Sequence, residues 1–576
     1  MKLREEIFFD YPVFDTVKDV ILYTLERYPN NKAFIVKEKN EDKVSYKDIT
    51  YREFVNQVYF LATEFNHLGF RRKKIGIISK NRYEWVLAFV ACFFSDVVVV
   101  PLDKGLTPEE IENSVFRAEL DAIVFDEATK EVFDKIRKDE KSNIKEYISM
   151  DNNPNYTCFN DLLEEGKELF EKDDSIKDIE IDPYALSELV FTSGTSAESK
   201  VVMLSQFNLA RNISDMHLVE DFRPTDVNLA FLPLHHTFGS TGELIMLSTG
   251  ITTAFPDGLR YIKQNLKEYN VTFFVGVPLL VEAIYKNVEK EIAKQGKTKM
   301  VKFMRKFCKF LLIFNIDIRR KVFKQIIDEL GGLRFVISGA AALDKEVEAG
   351  FNEMGILTVQ GYGMTEASPV IAAENYKHRR YGSIGFQMPS VEIRIDDKGE
   401  DGIGELVVKA PNVMMGYYKD LEKTQEVLKH GWLHTGDLVY QDKDEFIYIV
   451  GRKKDMIVLK NGKKIFPDEL ELMINKLDLV KECMVFGLPK DDDVSLAVKV
   501  KYDDEVVSRD YKDLSEEELN KEFWKQIKEI NQRIPKYKYI KHLFVEKGEF
   551  IKTTTNKIKR QEEMKKIKKE KEVDKL

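Results

Sequence analysis

The sequence has few cysteines, and none lies where a paired role would need it. The 576 residues contain only four, widely spaced at Cys92, Cys158, Cys308 and Cys483. No C-x-x-C pair is present, so the sequence indicates neither a disulfide framework nor a zinc knuckle. Such a composition is typical of a reducing compartment.

Long hydrophobic runs are also missing. The N-terminus has no apolar stretch of the kind that a secretory signal needs. The most apolar early segment, 85–95, is stopped by Asp96 and is shorter than the roughly 20 residues that cross a bilayer. We therefore expect a cytoplasmic protein with at most peripheral membrane contact.

Positive charge is not in excess. The sequence has 89 Lys and Arg residues and 98 Asp and Glu residues, which gives a net charge of −9. This balance excludes strong attraction of the whole protein to nucleic acid. What is present is a 43% apolar fraction on a long chain, enough to fill the cores of several domains. The same fraction excludes a wholly disordered chain.

The first 450 residues alternate short β-rich runs with amphipathic runs. This pattern predicts an α/β fold with layers of largely parallel strands, whose buried strands read as continuous Val and Ile runs. The expected strands are 74–79, 97–101, 122–125, 188–191, 271–275 and 334–337. Ligands of open α/β sheets gather beyond the carboxyl ends of the strands, so the loops that follow them are the first place to look for function.

Beyond residue 390 the pattern changes to short alternating strands such as 391–395 and 404–408, which predict an antiparallel, barrel-like β part. From Gly451 onward the chain is more charged, and it ends in a Lys- and Glu-rich helix. We predict a large N-terminal domain over 1–450 and a small, mobile α+β domain over 451–576.

Five segments carry groups suited to binding a nucleotide. The first, 191–200, places hydroxyls, a glycine and a lysine behind a strand, as a phosphate-binding loop would, with a plain Ser/Thr-rich turn as the alternative. The other segments are 359–366, 431–437, 451–457 and 552–560. Their alternatives are, in turn, a strand-end turn, a capping aspartate and two solvated basic turns.

In this order and spacing, the five segments resemble the adenylate-forming (ANL, AMP-binding) superfamily. The resemblance covers nearly the whole chain, from about residue 44 to residue 560. Within the superfamily, further segments look like those of bacterial long-chain fatty-acid–CoA ligases, namely 81–85, 100–103, 232–239, 338–343 and 460–467. The fold and the activity of acyl-CoA synthetases are therefore expected.

The resemblance implies roles for individual residues. The ATP phosphates would be wrapped by Thr192, Ser193, Gly194, Thr195, Ser196 and Lys200. The base and the ribose would be bound by Gly339, Ala340, Tyr362, Gly363, Asp437 and Arg452. The catalytic group would be Lys557, which bridges the acyl carboxylate and the α-phosphate, with Thr365, the Mg²⁺ ligand Glu366, and His236 beside the acid. His235 stays open as the relevant histidine.

The reaction implied by the family has two steps. A fatty acid reacts with ATP to form an acyl-adenylate and pyrophosphate, and the thiol of CoA then displaces AMP. Catalysis of the first step consists mostly of placement and charge neutralisation, the tasks expected of Lys557 and of Mg²⁺ on Glu366. Family members rotate the C-terminal domain between the steps about one hinge residue, which matches Lys454, with Asp455 as the neighbouring alternative.

The sequence departs from the family pattern in two loops. Ala197, Ser199 and Val201 replace the second glycine, the proline and the last glycine of the usual phosphate loop, and Ser196 replaces a threonine. Asn556 replaces the glycine before the catalytic lysine, and asparagine tolerates positive φ. The hydroxyls and both lysines remain, so we expect a working enzyme.

Further segments bear on how the fatty-acid substrate is bound and on whether the enzyme contacts a membrane. Small and apolar residues in 239–242 and 276–281 suit an acyl pocket, with helix packing as the alternative. Segment 297–324 holds ten Lys and Arg residues and one acid, a local charge of 10 − 1 = +9, with phenylalanines at helical spacing. Such a helix is typical of an anionic membrane surface, although its aromatic face could instead fill a core or an oligomer interface.

Two other functions remain open from the sequence. An acyl–acyl-carrier-protein ligase differs only in the thiol that accepts the acyl group. A non-catalytic relative would bind an acyl group or a nucleotide and release no pyrophosphate.

Overall fold

The computed structural model describes residues 6–40, 43–151, 153–192, 199–490, 493–552 and 557–573. Several predicted site residues lie outside these ranges, namely Ser193, Gly194, Thr195, Ser196, Ala197 and Asn556.

The part of the chain up to residue 452 forms three sheets with helices packed on them. Its strands are β1 (Lys32–Asn40), β2 (Lys43–Thr50), β3 (Lys74–Ile78), β4 (Val98–Pro101), β5 (Ala122–Phe125), β6 (Glu146–Ser149), β7 (Thr157–Cys158), β8 (Leu186–Phe191), β9 (Val201–Ser205), β10 (Val227–Leu229), β11 (Thr252–Ala254), β12 (Phe273–Gly276), β13 (Phe335–Ser338), β14 (Leu357–Gly363), β15 (Val370–Ala373), β16 (Phe386–Gln387), β17 (Glu392–Asp396), β18 (Gly404–Lys409), β19 (Gly416–Tyr417), β20 (Leu428–Lys429), β21 (Trp432–Gln441) and β22 (Ile447–Arg452).

The helices of the same part cover the faces of the sheets. They are α1 (Val17–Arg27), α2 (Tyr51–His67), α3 (Tyr83–Phe94), α4 (Pro108–Ala118), α5 (Lys130–Ile136), α6 (Phe159–Lys172), α7 (Gln206–Val219), α8 (Thr237–Thr249), α9 (Ile262–Glu268), α10 (Pro278–Lys294), α11 (Thr298–Leu312), α12 (Arg319–Val322), α13 (Lys324–Glu329), α14 (Lys345–Glu353) and α15 (Leu421–Val427).

The first sheet has the order β19-β9-β8-β4-β3-β5-β6-β7, and its strands from β8 to β7 run parallel. Its central strands are buried, which is why their sequences are continuous apolar runs. Helix α3 is apolar on nearly all sides because almost every residue in it is buried. The predicted layered α/β fold is confirmed here.

The second sheet has the order β16-β15-β14-β13-β12-β10-β11-β1-β2. Strands β12, β13 and β14 are parallel neighbours, so the loops after β12 and β13 and the end of β14 open on the same edge. The predicted antiparallel part is the third sheet, in which β18 pairs with β17 and β21, and β21 pairs with β20 and β22.

The smaller C-terminal part has its own core between a three-stranded sheet and two helices. Its elements are β23 (Ile457–Val458), β24 (Lys464–Ile465), α16 (Pro467–Ile474), β25 (Val480–Lys490), β26 (Asp493–Tyr502), α17 (Asp504–Asp510), α18 (Glu516–Gln532), β27 (Ile540–Val545) and α19 (Arg560–Val573). The core side chains include Leu470, Val485, Val498, Phe523 and Ile527. The predicted terminal helix is present as α19.

In the described part of the chain, no helix is both long enough and apolar enough to cross a membrane.

Candidate active site

The neck of the predicted phosphate loop is closed by backbone pairing. The Thr192 amide donates to the carbonyl of Lys200 over 2.9 Å, and the Thr192 hydroxyl lies 3.3 Å from the same oxygen. These contacts hold the two ends of the loop together between the end of β8 and the start of β9. The Lys200 ammonium projects from this neck to the Tyr417 hydroxyl, 3.2 Å away, and stands over the Tyr417 ring.

Tyr417 links two predicted site residues, and sequence reasoning missed it. Its hydroxyl donates to Glu366 Oε1 over 2.8 Å, so Lys200, Tyr417 and Glu366 form one chain of polar contacts. Burial, and then the nearby Glu366 carboxylate, raises the Tyr417 pKa, so the phenol stays protonated. The only local sequence signal that could have pointed to Tyr417 is the Gly416-Tyr417 dipeptide.

Tyr362, Asp437 and Arg452 meet in a second cluster. The Tyr362 hydroxyl donates to Asp437 Oδ2 over 2.5 Å, and Arg452 Nε lies 2.7 Å from Asp437 Oδ1. Asp437 and Arg452 face each other because β21 and β22 pair in that register. Burial raises the Asp437 pKa, while the Arg452 guanidinium and the Tyr362 hydroxyl oppose that shift.

The ends of β13 and β14 supply the residues predicted to contact the base. Gly339 packs so closely on Phe238 that a Cβ would lie 2.9 Å from the ring, and the exposed Ala340 has a φ of +70°. Gly363 is also required, because a Cβ there would lie 1.9 Å from the Pro369 carbonyl oxygen. A side-chain ring next to Gly339 and a backbone carbonyl next to Gly363 therefore leave little room for a Cβ at either position.

His236 and Thr365 come together at the start of α8. His236 is the residue that precedes the helix, and the adjacent Thr237 hydroxyl lies 3.3 Å from that of Thr365. Burial lowers the His236 pKa to about 3, with smaller contributions in the same direction from His235 and Lys557. The imidazole is therefore neutral at physiological pH.

Lys557 comes to this site from the C-terminal part of the chain. The Lys557 side chain is exposed to solvent. Protein atoms around its ammonium nevertheless displace water and lower its pKa, and the positive charge of Arg452 lowers the pKa further. The Asp437 carboxylate opposes the shift. The charge of Lys557 lowers the pKa of both Asp437 and His236, so the predicted catalytic lysine lies near residues predicted to bind the nucleotide and the acid.

A small cavity lies along α8. Its volume is about 20 Å³, room for about one water molecule, and it is lined by Asn228, Leu229, Ala230, Phe231, Leu232, Leu234, Phe238, Gly239, Gly242, Glu243, Met246 and Val275. Segment 239–242, predicted for the acyl pocket, contributes two glycines to it. Segment 276–281 does not reach it, and the neighbouring Val275 does. A cavity of this volume is too small to hold an acyl chain.

Comparison with known proteins assigns the chain to a class. Residues 23–418 match the family of AMP-binding enzymes, and residues 454–575 match the C-terminal domain of AMP-binding enzymes. The fold is similar to that of an anthranilate CoA ligase in complex with anthranoyl-AMP, with a TM-score of 0.74 at 20% identity over 96% of this chain and 98% of that one. The chain belongs to the AMP-binding enzyme family.

Its curated relatives narrow the class. The chain is 30% identical to the rat long-chain-fatty-acid–CoA ligase 5 over 482 residues, which cover 77% of this chain and 69% of that protein. It is 29% identical to fatty acyl-CoA synthetase B of Dictyostelium discoideum over 515 residues, 82% of this chain and 75% of that one. The chain is thus an enzyme of the long-chain acyl-CoA synthetase group within the family.

Proposed function

We propose that the protein activates a long-chain fatty acid in two steps. A carboxylate oxygen attacks the α-phosphorus of ATP, the bond to the β-phosphate oxygen breaks, and pyrophosphate leaves. The CoA sulfur then attacks the acyl carbon, and the bond to the AMP oxygen breaks. The observation that carries this proposal is the cluster in which Tyr362 and Arg452 hold both oxygens of Asp437, on which the charge of Lys557 acts from the C-terminal part of the chain.

In this proposal each cluster has one task. Asp437 accepts hydrogen bonds from the ribose hydroxyls. Tyr362 and Arg452 each hold one of its oxygens and fix the plane of the carboxylate, and each oxygen can accept a further hydrogen bond. The ammonium of Lys557 neutralises charge between the acid and the α-phosphate. A neutral His236 orients the acid without pairing its negative charge.

The residues around Glu366 fit a magnesium ion. Mg²⁺ prefers oxygen ligands and is usually held by one or two carboxylates together with substrate phosphates. Glu366 offers a carboxylate tied to Tyr417, and Lys200 stands close enough to share the same phosphates. When bound, Mg²⁺ would supply charge neutralisation at the phosphates.

The activity is tested by pyrophosphate release over acids from short to long chains, with CoA, with acyl carrier protein, or without a thiol. We expect acid-dependent release, and thioester only with CoA. Lys557→Ala should lower acid-dependent release by about 100-fold or more, whereas Lys559→Ala, two residues along, should not. Background release at every chain length would contradict the proposal, and thioester formed only on the carrier protein would favour the alternative acceptor.

We also propose that the chain divides near residue 451 into two domains that rotate about Lys454. Residues 453–455 lie between the third sheet and the C-terminal core, and Lys454 stands in a turn. The Lys476 ammonium, 2.8 Å from Asp344 Oδ2, is one of the contacts that tie the two parts in the present arrangement. Such a half-exposed ion pair is weak enough to break during rotation.

We propose, further, that α11 contacts an anionic membrane surface. Four phenylalanines of this region are exposed, including Phe303 at 65% and Phe310 at 55%, whereas Val301 and Cys308 on the other face are buried. The flanking lysines of the helix are exposed as well, at Lys299, Lys302, Lys306 and Lys309. An aromatic face with cationic flanks complements anionic lipid, in which long-chain acids partition.

The membrane proposal is tested by co-sedimentation with vesicles of phosphatidylserine and phosphatidylcholine. Wild type should bind the anionic vesicles, and the triple variant Lys302→Glu, Lys306→Glu and Lys309→Glu should lose most of that binding. A matched control is Lys521→Glu with Lys528→Glu, two exposed lysines of α18. Equal sedimentation of the triple variant and wild type would refute membrane contact through α11.

A further inference from the structure

Three side chains beside the acid site bring metal-ligating atoms together. Asp103 follows β4, and His235 and His236 form the turn before α8. One nitrogen from each imidazole and one oxygen from the carboxylate all lie within 4.8 Å of one another. Two imidazoles and a carboxylate form the donor set that suits a borderline transition-metal ion.

The imidazole atoms of this cluster lack the usual hydrogen bonds of buried polar groups. Nε2 of His235 and Nε2 of His236 are both buried, and neither makes a hydrogen bond to any described residue. His235 Nε2 lies 3.2 Å from Asp103 Oδ2, without the alignment of a hydrogen bond. Since buried polar atoms normally have a partner, two such nitrogens in one place point to a missing ligand.

The turn that carries the histidines is held in place from several sides. Asn81 donates its amide to the carbonyls of Ala230 and Leu232 and accepts from the amide of Leu234. On the facing side, the Gly105 amide donates to Asp103 Oδ1, which leaves Oδ2 turned toward His235. The donor atoms are therefore presented by a fixed backbone and do not rely on exposed, mobile side chains.

We infer that Asp103, His235 and His236 bind one divalent transition-metal ion of the Zn²⁺ class. Bonds of 2.0–2.2 Å place tetrahedral ligand atoms roughly 3.3–3.5 Å apart, close to the observed separation of His235 Nε2 and Asp103 Oδ2. The other separations, which are at most 4.8 Å, have to shorten to complete such a shell. Mg²⁺ does not suit this set because it prefers oxygen ligands.

An ion at this position would occupy His236, the residue proposed to orient the acid. We therefore expect Zn²⁺ to inhibit the acid-dependent step. This consequence rests on the proposed function, whereas metal binding itself does not. The positive charge of Lys557, which acts on His236, opposes a cation there. The affinity of the site for Zn²⁺ therefore depends on the position of the C-terminal part of the chain as well as on the three ligands.

The binding test uses the full chain and Co²⁺ as a spectroscopic probe. Wild type should take up one equivalent of Co²⁺ with the visible absorption of a low-coordinate site, and Zn²⁺ should displace it. Asp103→Asn and His235→Ala should each weaken Zn²⁺ binding at least tenfold. His430→Ala, at an exposed histidine elsewhere, should bind like wild type.

Circular dichroism establishes that each variant is folded, and Asp103→Asn changes the side-chain volume very little. No Co²⁺ band in wild type, or equal Zn²⁺ affinity in Asp103→Asn and wild type, overturns the site. If wild type binds Zn²⁺ and its pyrophosphate release is not inhibited relative to Asp103→Asn, the link to His236 is wrong. Absence of pyrophosphate release in wild type with Mg²⁺ present and without Zn²⁺ or Co²⁺ would count against the proposed function alone, because Co²⁺ binding needs no substrate.

Discussion

Buried ionisable side chains of this enzyme owe their properties to a few close neighbours. Asp437 is shielded from water, and both of its oxygens are taken, one by Tyr362 and one by Arg452. Glu188 is the contrasting case, because it is fully buried in β8 and neither oxygen has a hydrogen bond within the described residues. The first carboxylate is held in one orientation by its partners, and the second is a cost to stability.

The hydroxyl of Tyr362 gives a test of the nucleotide cluster. Tyr362→Phe removes the hydrogen bond to Asp437 and keeps the ring, so we expect the KM for ATP to rise about 5- to 20-fold, equivalent to roughly 1–2 kcal/mol. Steady-state kinetics with ATP as the varied substrate measures this change in KM. Tyr440→Phe, at a half-exposed tyrosine of β21, is the matched control and should leave the KM unchanged. An unaltered KM in Tyr362→Phe would show that the hydroxyl does not support the ATP site.

Glu188 predicts a pH dependence of stability. Burial raises its pKa from 4.5 to about 8, so between these values the folded state holds a proton that the unfolded state releases. The free energy of unfolding therefore falls as the pH rises from about 4.5 to about 8. We expect Glu188→Gln to reduce this fall by on the order of 2–4 kcal/mol.

Urea unfolding of wild type and Glu188→Gln at pH 5 and pH 8 measures this effect. The difference in stability between the two proteins should shift in favour of the variant at the higher pH. A difference that does not depend on pH would mean that Glu188 does not bind this proton. Glu131→Gln, at an exposed position of α5, is the control.

Helix α8 is the element on which the site depends most. It begins directly after His236, and its first turn packs on the preceding segment so tightly that a Cβ on Gly239 would lie 2.1 Å from the Pro233 carbonyl oxygen. Gly242, one turn further on, has no atom within 4 Å of its Cβ position. The two glycines of the predicted acyl segment are therefore not equivalent.

This difference predicts opposite effects of one substitution at two positions. Gly239→Ala must displace backbone, so we expect a loss of about 1–3 kcal/mol and a raised KM for the acid as His236 moves. Gly242→Ala should gain roughly 0.5–1 kcal/mol because alanine loses less entropy in a helix. Thermal unfolding of both variants checks the sign. Equal stability of the two would contradict the close approach at Gly239.

Sequence patterns identified most elements but not their surroundings. The strands expected at 122–125 and 404–408 occur at β5 and β18, because buried apolar runs and period-two alternation are local signals. For α11 the sequence left three outcomes open for the phenylalanine stripe, namely a membrane surface, a core or an oligomer interface. The structure excludes core packing, since the helix packs through Val301 and Cys308 instead.

At the scale of the whole molecule, the proposed function makes the C-terminal part a lid that delivers Lys557. In the described arrangement the charge of Lys557 acts on Asp437, as the adenylate-forming step of that proposal requires. The thioester step needs that space for the thiol substrate, so the lid has to turn away. The turn at Lys454, between the third sheet and the C-terminal core, is the position proposed for the hinge of that rotation.

Lys454→Pro tests this movement. Proline fixes φ near −65°, so we expect one half-reaction to fall at least tenfold more than the other. Pyrophosphate release without CoA and transfer of a preformed acyl-adenylate to CoA measure the two steps separately. Lys454→Ala keeps backbone freedom and should affect both steps little. Equal losses in Lys454→Pro would argue against a hinge at this residue.

The sequence by itself determined the layered α/β class, the ordered segments that resemble adenylate-forming enzymes, and most of the proposed site residues. Those signals are local, since they depend on residue type and spacing within about ten positions. Only the tertiary structure decided that Tyr417 joins Lys200 to Glu366, that Asp103 faces His235, and that the cavity along α8 is small. Each of these joins segments more than 40 residues apart or depends on how side chains fill space, and no local pattern encodes either.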